Sequence, residues 1–193
     1  MFVKNYFKVF SEVSKLVDIN SIDRLIHKIK KVKDKKGRIF FVGVGGSAGN
    51  ASHAVNDFRK ICEIECYSPL DNVSELTARI NDEGWESSIA AWLRISNINS
   101  KDAIFVLSVG GGDIKRKVST NIVKAIEYSK KKKAKVFGIV SNKGGYLKKN
   151  GDNVIFIPPL DNSLITPIAE SFQAMVWHCI VSHPLLKKNK TKW

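Results

Sequence analysis

The sequence predicts an α/β protein: a three-layer αβα sandwich around a parallel five-stranded sheet, preceded by two N-terminal helices. Three observations predict it. Five short apolar runs rich in β-forming residues punctuate the chain. Between most of them lie stretches with apolar residues three and four apart. The alternation of strand and helix gives parallel strands with helices on both faces. With 193 residues the chain suits one domain, 1–193, large enough to bury a core without disulfide or metal staples.

Phe2, Tyr6, Val9, Phe10, Val13 and Val17 recur at helical spacing and make the first helix. A second starts near Ser21 and sets Ile22, Leu25, Ile26 and Ile29 on one side. Both precede the first strand, so their stripes need burial on the sheet or on another subunit. Residues 1–36 are therefore the expected oligomerisation segment. Arg38–Gly43 is a nearly continuous apolar run, the first strand, covered on both faces. Gly43-Val-Gly-Gly-Ser47 then turns into a helix from about Ala48 to Cys62. A second strand lies near Ile64–Ser68, and Leu70–Ile98 reads as mainly helical with a break around Asn81–Gly84. Ala103–Ser108 is the third strand and runs into Gly110-Gly-Gly112. A helix from about Ser119 to Lys132 leads to the fourth, Lys135–Val140. A short helix near Tyr146 leads to the fifth, Asn153–Ile157, ended by Pro158-Pro159. Thr166-Pro167 opens the last helix, with Thr as cap and Pro in the first turn, and the helix runs to about Ser182. Residues 187–193 form a basic tail.

Thirty-two basic against 18 acidic residues give a net charge of +14, which raises the question of an anionic partner. The lysines sit in short runs, Lys28–Lys36, Lys130–Lys133 and Lys187–Lys192, at helix ends and in the tail. There they favour the negative helix pole and stay solvated. Arginines to read bases and aromatics to stack on them do not accompany these runs, so nucleic acid is not an expected partner, whereas a small phosphorylated sugar is. No apolar run reaches the ~20 residues of a membrane helix. Met1–Lys15 is charged throughout, unlike a signal peptide, so a cytoplasmic protein is expected. Cys62, Cys66 and Cys179 are too few and scattered for a disulfide framework and read as small, inert, partly buried residues.

In such sheets ligands bind beyond the carboxyl ends of the strands, where both glycine-rich turns fall. Gly43–Ser47 lets backbone approach a ligand and leads into a helix with free N–H groups, or it is simply a tight strand-to-helix turn. It is neither a dinucleotide fingerprint nor a P-loop, since glycine is missing at Ala48 and no Gly-Lys-Ser/Thr follows. His53 and Asp57, four apart on the following helix, share a face. They can share a metal, pass a proton, or form a plain surface hydrogen bond. Glu170 and His178 lie eight apart on the apolar last helix, with Gln173 between, and need partners there. Ser108-Val-Gly-Gly-Gly-Asp113 could wrap an anion with Gly110, Gly111 and Gly112, against which Asp113 acts. Lys115, Arg116 and Lys117 offset that carboxylate, and Ser119, Thr120 and Asn121 start a helix able to bind an anion. His27 and His183 read as surface or loop residues.

This ordered set resembles the phosphoheptose isomerases of the SIS superfamily over essentially the whole chain. Its parts are a Gly-x-Gly-Gly-Ser turn, a His-x-x-x-acid pair, a central Asn-Asp, a Ser-ended strand, and a last helix with an acid and a His eight apart. The resemblance implies the SIS fold in a homotetramer with active sites at subunit interfaces. It implies Gly45, Gly46 and Ser47 at the sugar phosphate, Asn81 and Asp82 on sugar hydroxyls, and zinc at His53, Asp57, Glu170 and His178. It gives Asp57 the place of the catalytic carboxylate and His178 that of the catalytic histidine. The chain departs from the family pattern at Val44, where Asn is usual, at Asp57 and Glu170, where Glu and Gln are usual, and at Gln173, where His is common. The Ser/Thr-rich phosphate loop is reduced to Ser108, Val109 and glycines. The activity implied is interconversion of an aldose and a ketose through an enediol: Asp57 or Glu170 as base, His178 as acid, and anion-binding backbone at 45–47 and 110–112. A second reading, from a different class, is a non-catalytic SIS protein that binds a partner protein or senses a sugar phosphate.

Overall fold

The computed structural model describes residues 1–191. Lys192 and Trp193, the end of the predicted basic tail, lie outside the described residues. Five strands form one parallel sheet: β1 Ile39–Val42, β2 Cys66–Tyr67, β3 Ala103–Ser108, β4 Lys135–Val140 and β5 Asn153–Phe156. Their order is β2-β1-β3-β4-β5. The chain runs outward from β1 to β2, then returns to place β3 on the other side of β1. The crevice at the carboxyl ends of β1 and β3 is thus a topological switch point, where such sheets bind ligands. β1 and β3 are buried at every position because helices cover both faces.

One face packs α1 (Phe2–Leu16), α2 (Ile19–Asp34), α3 (Gly46–Cys62) and α8 (Ile165–Ser182) over Ile39, Phe41, Phe105 and Ile139. The opposite face packs α5 (Ser88–Ile95), α6 (Thr120–Lys131) and α7 (Gly145–Asn150) over Phe40, Val42, Ile104 and Val136. Alternate residues of each strand feed alternate cores, as the two-residue strand period requires. At the amino edge, Asp102, 1% exposed, takes hydrogen bonds from the Arg38 main chain and guanidinium, with Arg38 Nη2 2.8 Å from Asp102 Oδ2. This ion pair pins β1 to β3 and lifts the Arg38 pKa, chiefly through that hydrogen bond.

The amphipathic stripe of α2 is buried through Leu25, Ile26, Ile29 and Val32. α1 buries Val13 alone outright, stacks Phe10 on Phe172 of α8, and leaves Phe2, Val3 and Phe7 exposed. α4 (Val73–Glu83) buries no residue.

Several expectations need correction. α2 begins at Ile19, with the Asp18 carboxylate accepting from the Ser21 N–H, because Asp caps as well as Ser and sits one turn earlier. The last helix begins at Ile165, not with Thr166 as cap, because a 3₁₀ turn over Asn162–Leu164, capped by Asp161, already satisfies the entering backbone. The break in the middle region falls at Gly84–Ser87, so Asn81 and Asp82 are inside α4. Cys62 and Cys66 are buried, but Cys179 is exposed. Burial pushes the Cys62 thiol up to about 11 and Cys66 well above its ordinary value. By length and hydropathy alone, 162–182 would suffice to cross a membrane, contrary to expectation. Half of that window is buried, with α8 packed on α3, β3 and β4.

Candidate active site

α3 starts where β1 ends, and α8 packs along it. The two helices therefore bring together residues more than 120 positions apart, on the helix that leaves the switch-point crevice. On α3, His53 and Asp57 lie one turn apart; from α8, His178 reaches the same carboxylate. His53 Nε2 is 4.0 Å from Asp57 Oδ2, and His178 Nε2 is 3.8 Å from the same oxygen. Asp57 is largely buried and both imidazoles are about half exposed, so the cluster opens outward.

The tautomer of His178 follows from its other nitrogen. Nδ1 lies 2.8 Å from the Ala174 carbonyl oxygen, and a carbonyl only accepts, so Nδ1 carries the proton. In the neutral ring the Nε2 lone pair then faces the Asp57 carboxylate. Two electron-rich atoms aimed at one space call for a proton or a cation between them. One donor atom from each of His53, Asp57 and His178 lies within 4.8 Å of the others. Two ~2.1 Å bonds at a tetrahedral angle would set donors about 3.4 Å apart. Modest side-chain rotation from 3.8–4.0 Å brings these donors there. The donor set, two imidazoles and a carboxylate, fits zinc.

Trp177 forms the floor. It is fully buried, its ring centroid is 3.5 Å from that of His178 and 4.7 Å from that of His53. Its face and edge therefore restrict both imidazoles. Its Nε1 is one of two buried side-chain nitrogens without a partner among the described residues, the other being Asn121 Nδ2.

Glu170 does not join the three. Its carboxylate lies against Gly46, where a Cβ would come 2.3 Å from Oε2. Glycine is needed there to admit it. The site is the first turn of α3, whose free N–H groups favour a negative charge. The reason for the separation is the network beneath. Gln173, fully buried, donates to Ser47 Oγ at 3.0 Å and accepts from Asn50 Nδ2 at 3.1 Å. Asn50 also donates to the Glu170 main-chain oxygen at 2.9 Å. These bonds lock α8 to the start of α3 and set Glu170 over Gly46 while His178, two turns on, meets Asp57. Ser47 is 2% exposed and points into this network. Gly45, at φ +62° with open space beside it, presents its backbone outward.

The second glycine turn follows β3, the strand beside β1. Ser108 Oγ accepts from the Gly111 N–H at 3.0 Å. The Gly111 and Gly112 carbonyls accept from the Leu147 and Tyr146 N–H groups of α7. The N–H groups of Gly110 and Gly112 have no partner among the described residues. Beyond Gly112 the chain makes a small hairpin, with Asp113 paired to Val118 and the Asp113 carboxylate on Arg116, Nε to Oδ2 2.8 Å. These bonds to Arg116 hold the Asp113 carboxyl below its ordinary value. Ser119 adopts a left-handed conformation, φ +50°, at the cap of α6. The hydroxyls of Ser119 and Thr120 are half-buried and have no partner among the described residues. The hairpin thus separates the glycine turn from the start of α6.

Asn81 and Asp82 are exposed on α4 and bond to each other, Asn81 Nδ2 to Asp82 Oδ1 at 2.7 Å. The main packing of α4 is on α5, so the single chain does not bring them to the cluster. Three supporting residues were not singled out as part of the site from sequence: Asn50, Gln173 and Trp177. A buried amide in an apolar helix was the one signal, and it called for a partner without naming it.

The fold and cluster together define a class, and the chain belongs to it: residues 2–141 match the SIS domain family. Among curated proteins it is similar to the phosphoheptose isomerase of Helicobacter pylori (strain ATCC 700392 / 26695), 25% identical over 172 residues covering 84% of each chain. It is also similar to that of Nitratiruptor sp., 28% identical over 181 residues covering 91% and 90% of the two. In solved structures its fold is matched by phosphoheptose isomerase GmhA from Neisseria gonorrhoeae, with a TM-score of 0.81 at 17% identity over 93% of this chain and 94% of that one. The phosphoheptose isomerase of Francisella tularensis follows at TM-score 0.79 and 18% identity, with the same coverage.

Proposed function

We propose that this chain is an aldose–ketose isomerase acting on a phosphorylated sugar, converting sedoheptulose 7-phosphate to D-glycero-D-manno-heptose 7-phosphate. The observation that carries it is the meeting of His53, Asp57 and His178 between α3 and α8, each imidazole within 4.0 Å of the carboxylate, on the helix that the first glycine turn starts. Relatives named phosphoheptose isomerase support the choice of sugar.

Isomerisation needs a base at one carbon and an acid at the neighbouring oxygen. Asp57 takes a proton from C1 of the ketose while His178, as the imidazolium with its Nδ1–H held by the Ala174 carbonyl, gives its Nε2 proton to O2, leaving a neutral enediol. Returning a proton to C2 and removing that of O1 gives the aldose. Asp57 and His178 are one contact apart, and Trp177 limits the swing of the imidazole. Zinc, held by His53, Asp57 and His178, would polarise the carbonyl in place of the proton from His178. Glu170 faces the sugar from Gly46 and accepts from its hydroxyls. The free N–H groups of Gly110 and Gly112 and the hydroxyls of Ser119 and Thr120 hold the phosphate. Gly45, Gly46 and Ser47 shape the near wall, and Ser108 and Gly111 brace the far one.

Asn81 and Asp82 reach the sugar from a neighbouring subunit in a homotetramer. The free surfaces of α1 and α4 are what such an assembly would bury. A single domain over 1–193 acting in the cytoplasm completes this reading.

The test is turnover of sedoheptulose 7-phosphate by metal-loaded protein, with and without chelator. Absence of turnover on any ketose phosphate would refute it. The hairpin at 113–118, which sets a carboxylate beside the phosphate loop, favours a second reading: a SIS protein that binds a partner or senses a sugar phosphate. Metal analysis with His178→Ala separates them. Stoichiometric zinc that the variant loses supports the enzyme; metal-free protein that the variant leaves unchanged supports the binder.

A further inference from the structure

The amino ends of the strands carry a second cavity, on the opposite edge of the sheet from the glycine turns. It has a volume of about 240 Å³. The last turns of α2, the loop before β3, the start of β4 and the turn before β5 enclose it. Val32 and Phe137, both buried, close the floor. Lys28, Lys31, Lys35, Lys101 and Lys135 form the wall with a single acid, Asp152.

That acid is already engaged. Lys28 Nζ donates to its main-chain oxygen. Lys135 Nζ is 3.0 Å from its Oδ1, and its Oδ2 accepts the Val136 N–H at 2.9 Å. The ammonium groups of Lys31, Lys35 and Lys101 have no hydrogen-bond or ion-pair partner among the described residues. The carbonyl end of α2 offsets only about half a charge. Like charges inside a Debye length of ~10 Å repel one another, and a low-polarity floor sharpens the repulsion. A solvated lysine surface would spread such charges; here three sequence-distant segments turn them into one hollow. At a water's share of ~30 Å³ the cavity holds about eight waters, room for two or three linked phosphate groups but not for a nucleoside with them. Lysines, as mobile point charges, suit phosphate oxygens whatever their geometry.

We propose that this cavity binds a compact polyanion of two or three linked phosphates, either a free inorganic chain or the tail of a nucleotide. The site is separate from the isomerase reading and does not depend on it.

Calorimetric titration of the full chain with inorganic triphosphate tests it. Expected are one triphosphate per chain, tighter binding than orthophosphate, and affinity at least roughly tenfold weaker in Lys31→Ala/Lys35→Ala/Lys101→Ala, as loss of three weakly screened cations implies. ATP serves as the second probe. Binding as tight as triphosphate points to a nucleotide tail, weaker binding to a free chain, and either supports the site. A control triple, Lys143→Ala/Lys149→Ala/Lys190→Ala, has the same net charge. Equal weakening in the control would reduce the effect to overall charge and overturn the proposal. So would undiminished binding in the cavity triple, or no saturable binding to the unmodified chain. All six lysines are exposed, and circular-dichroism melts check that both variants fold.

Discussion

The two glycine-rich turns sit side by side at the ends of β1 and β3, yet they are built differently. The first, 43–47, is locked from below by side chains: Gln173 on Ser47 and Asn50, and Asn50 on the Glu170 backbone. Its glycines admit close neighbours, and the helix it starts carries His53 and Asp57. The second, 108–112, is stitched to α7 by main-chain hydrogen bonds and then opens into an exposed hairpin. Acid–base or metal chemistry needs donors fixed to fractions of an ångström, and the buried amide network at the first turn supplies that. Anion binding asks for free N–H groups and tolerates sequence change around them, and the second turn offers those.

The largest effect should come from the chemistry on the helix that the first turn starts. Asp57→Asn removes the base and should lower kcat for sedoheptulose 7-phosphate by ~10²–10⁴-fold with the fold intact, read by steady-state kinetics and circular dichroism. An equal loss of activity in Ser108→Ala would break the division of labour drawn here. Next are two glycines with opposite outcomes. At Gly43 a Cβ would lie 2.4 Å from the Ser47 main-chain oxygen, so Gly43→Ala must shift backbone and should destabilise by about 3 kcal/mol or more, seen as a lower denaturant midpoint. At Gly46 the obstacle is the flexible Glu170 carboxylate, so Gly46→Ala should cost about 1 kcal/mol or less but impair turnover by displacing Glu170. Gln173→Leu leaves the Ser47 hydroxyl unpaired in the interior and removes one of the two bonds of Asn50, and should cost about 1–3 kcal/mol in chemical denaturation.

At the second turn, Ser119→Ala should raise KM with kcat little changed, by roughly tenfold for one lost hydrogen bond to a charged phosphate. The smallest effect is electrostatic. The folded-state pKa of Asp113 is depressed by Arg116. Its pairing is therefore complete above the ordinary carboxyl value of 3.8 and is lost as pH falls through the depressed value. A carboxyl resonance of Asp113 that titrates at or above the ordinary value would show that the hairpin is not held as described.

The central strands were legible residue for residue: Ala103–Ser108 and Lys135–Val140 appear with the predicted ends, because strands buried on both faces are written as continuous apolar runs; the edge strand expected near Ile64–Ser68 spans only Cys66–Tyr67. Helix starts were less legible. The start of α2 at Ile19 under Asp18, rather than near Ser21, and the 3₁₀ turn before Ile165 show that a helix takes whichever cap the preceding chain presents. Of the four residues expected at one metal, geometry joins His53, Asp57 and His178 and sets Glu170 on Gly46. Helical spacing put Glu170 and His178 on one broad side of α8. It carried no information on which neighbour each would meet along α3.

By itself, then, the sequence determined what is local: the period of each segment, the order of strands and helices, the glycines at strand ends, and the chemical character of His53, Asp57, Glu170 and His178. The tertiary structure decided which of these meet. It drew β3 in beside β1 to make the crevice, laid α8 along α3 with an amide network as the lock, and gathered lysines from three distant segments into one hollow at the far edge. Contacts across more than a hundred residues depend on how whole elements pack, and no spacing within one element encodes the neighbour it will face.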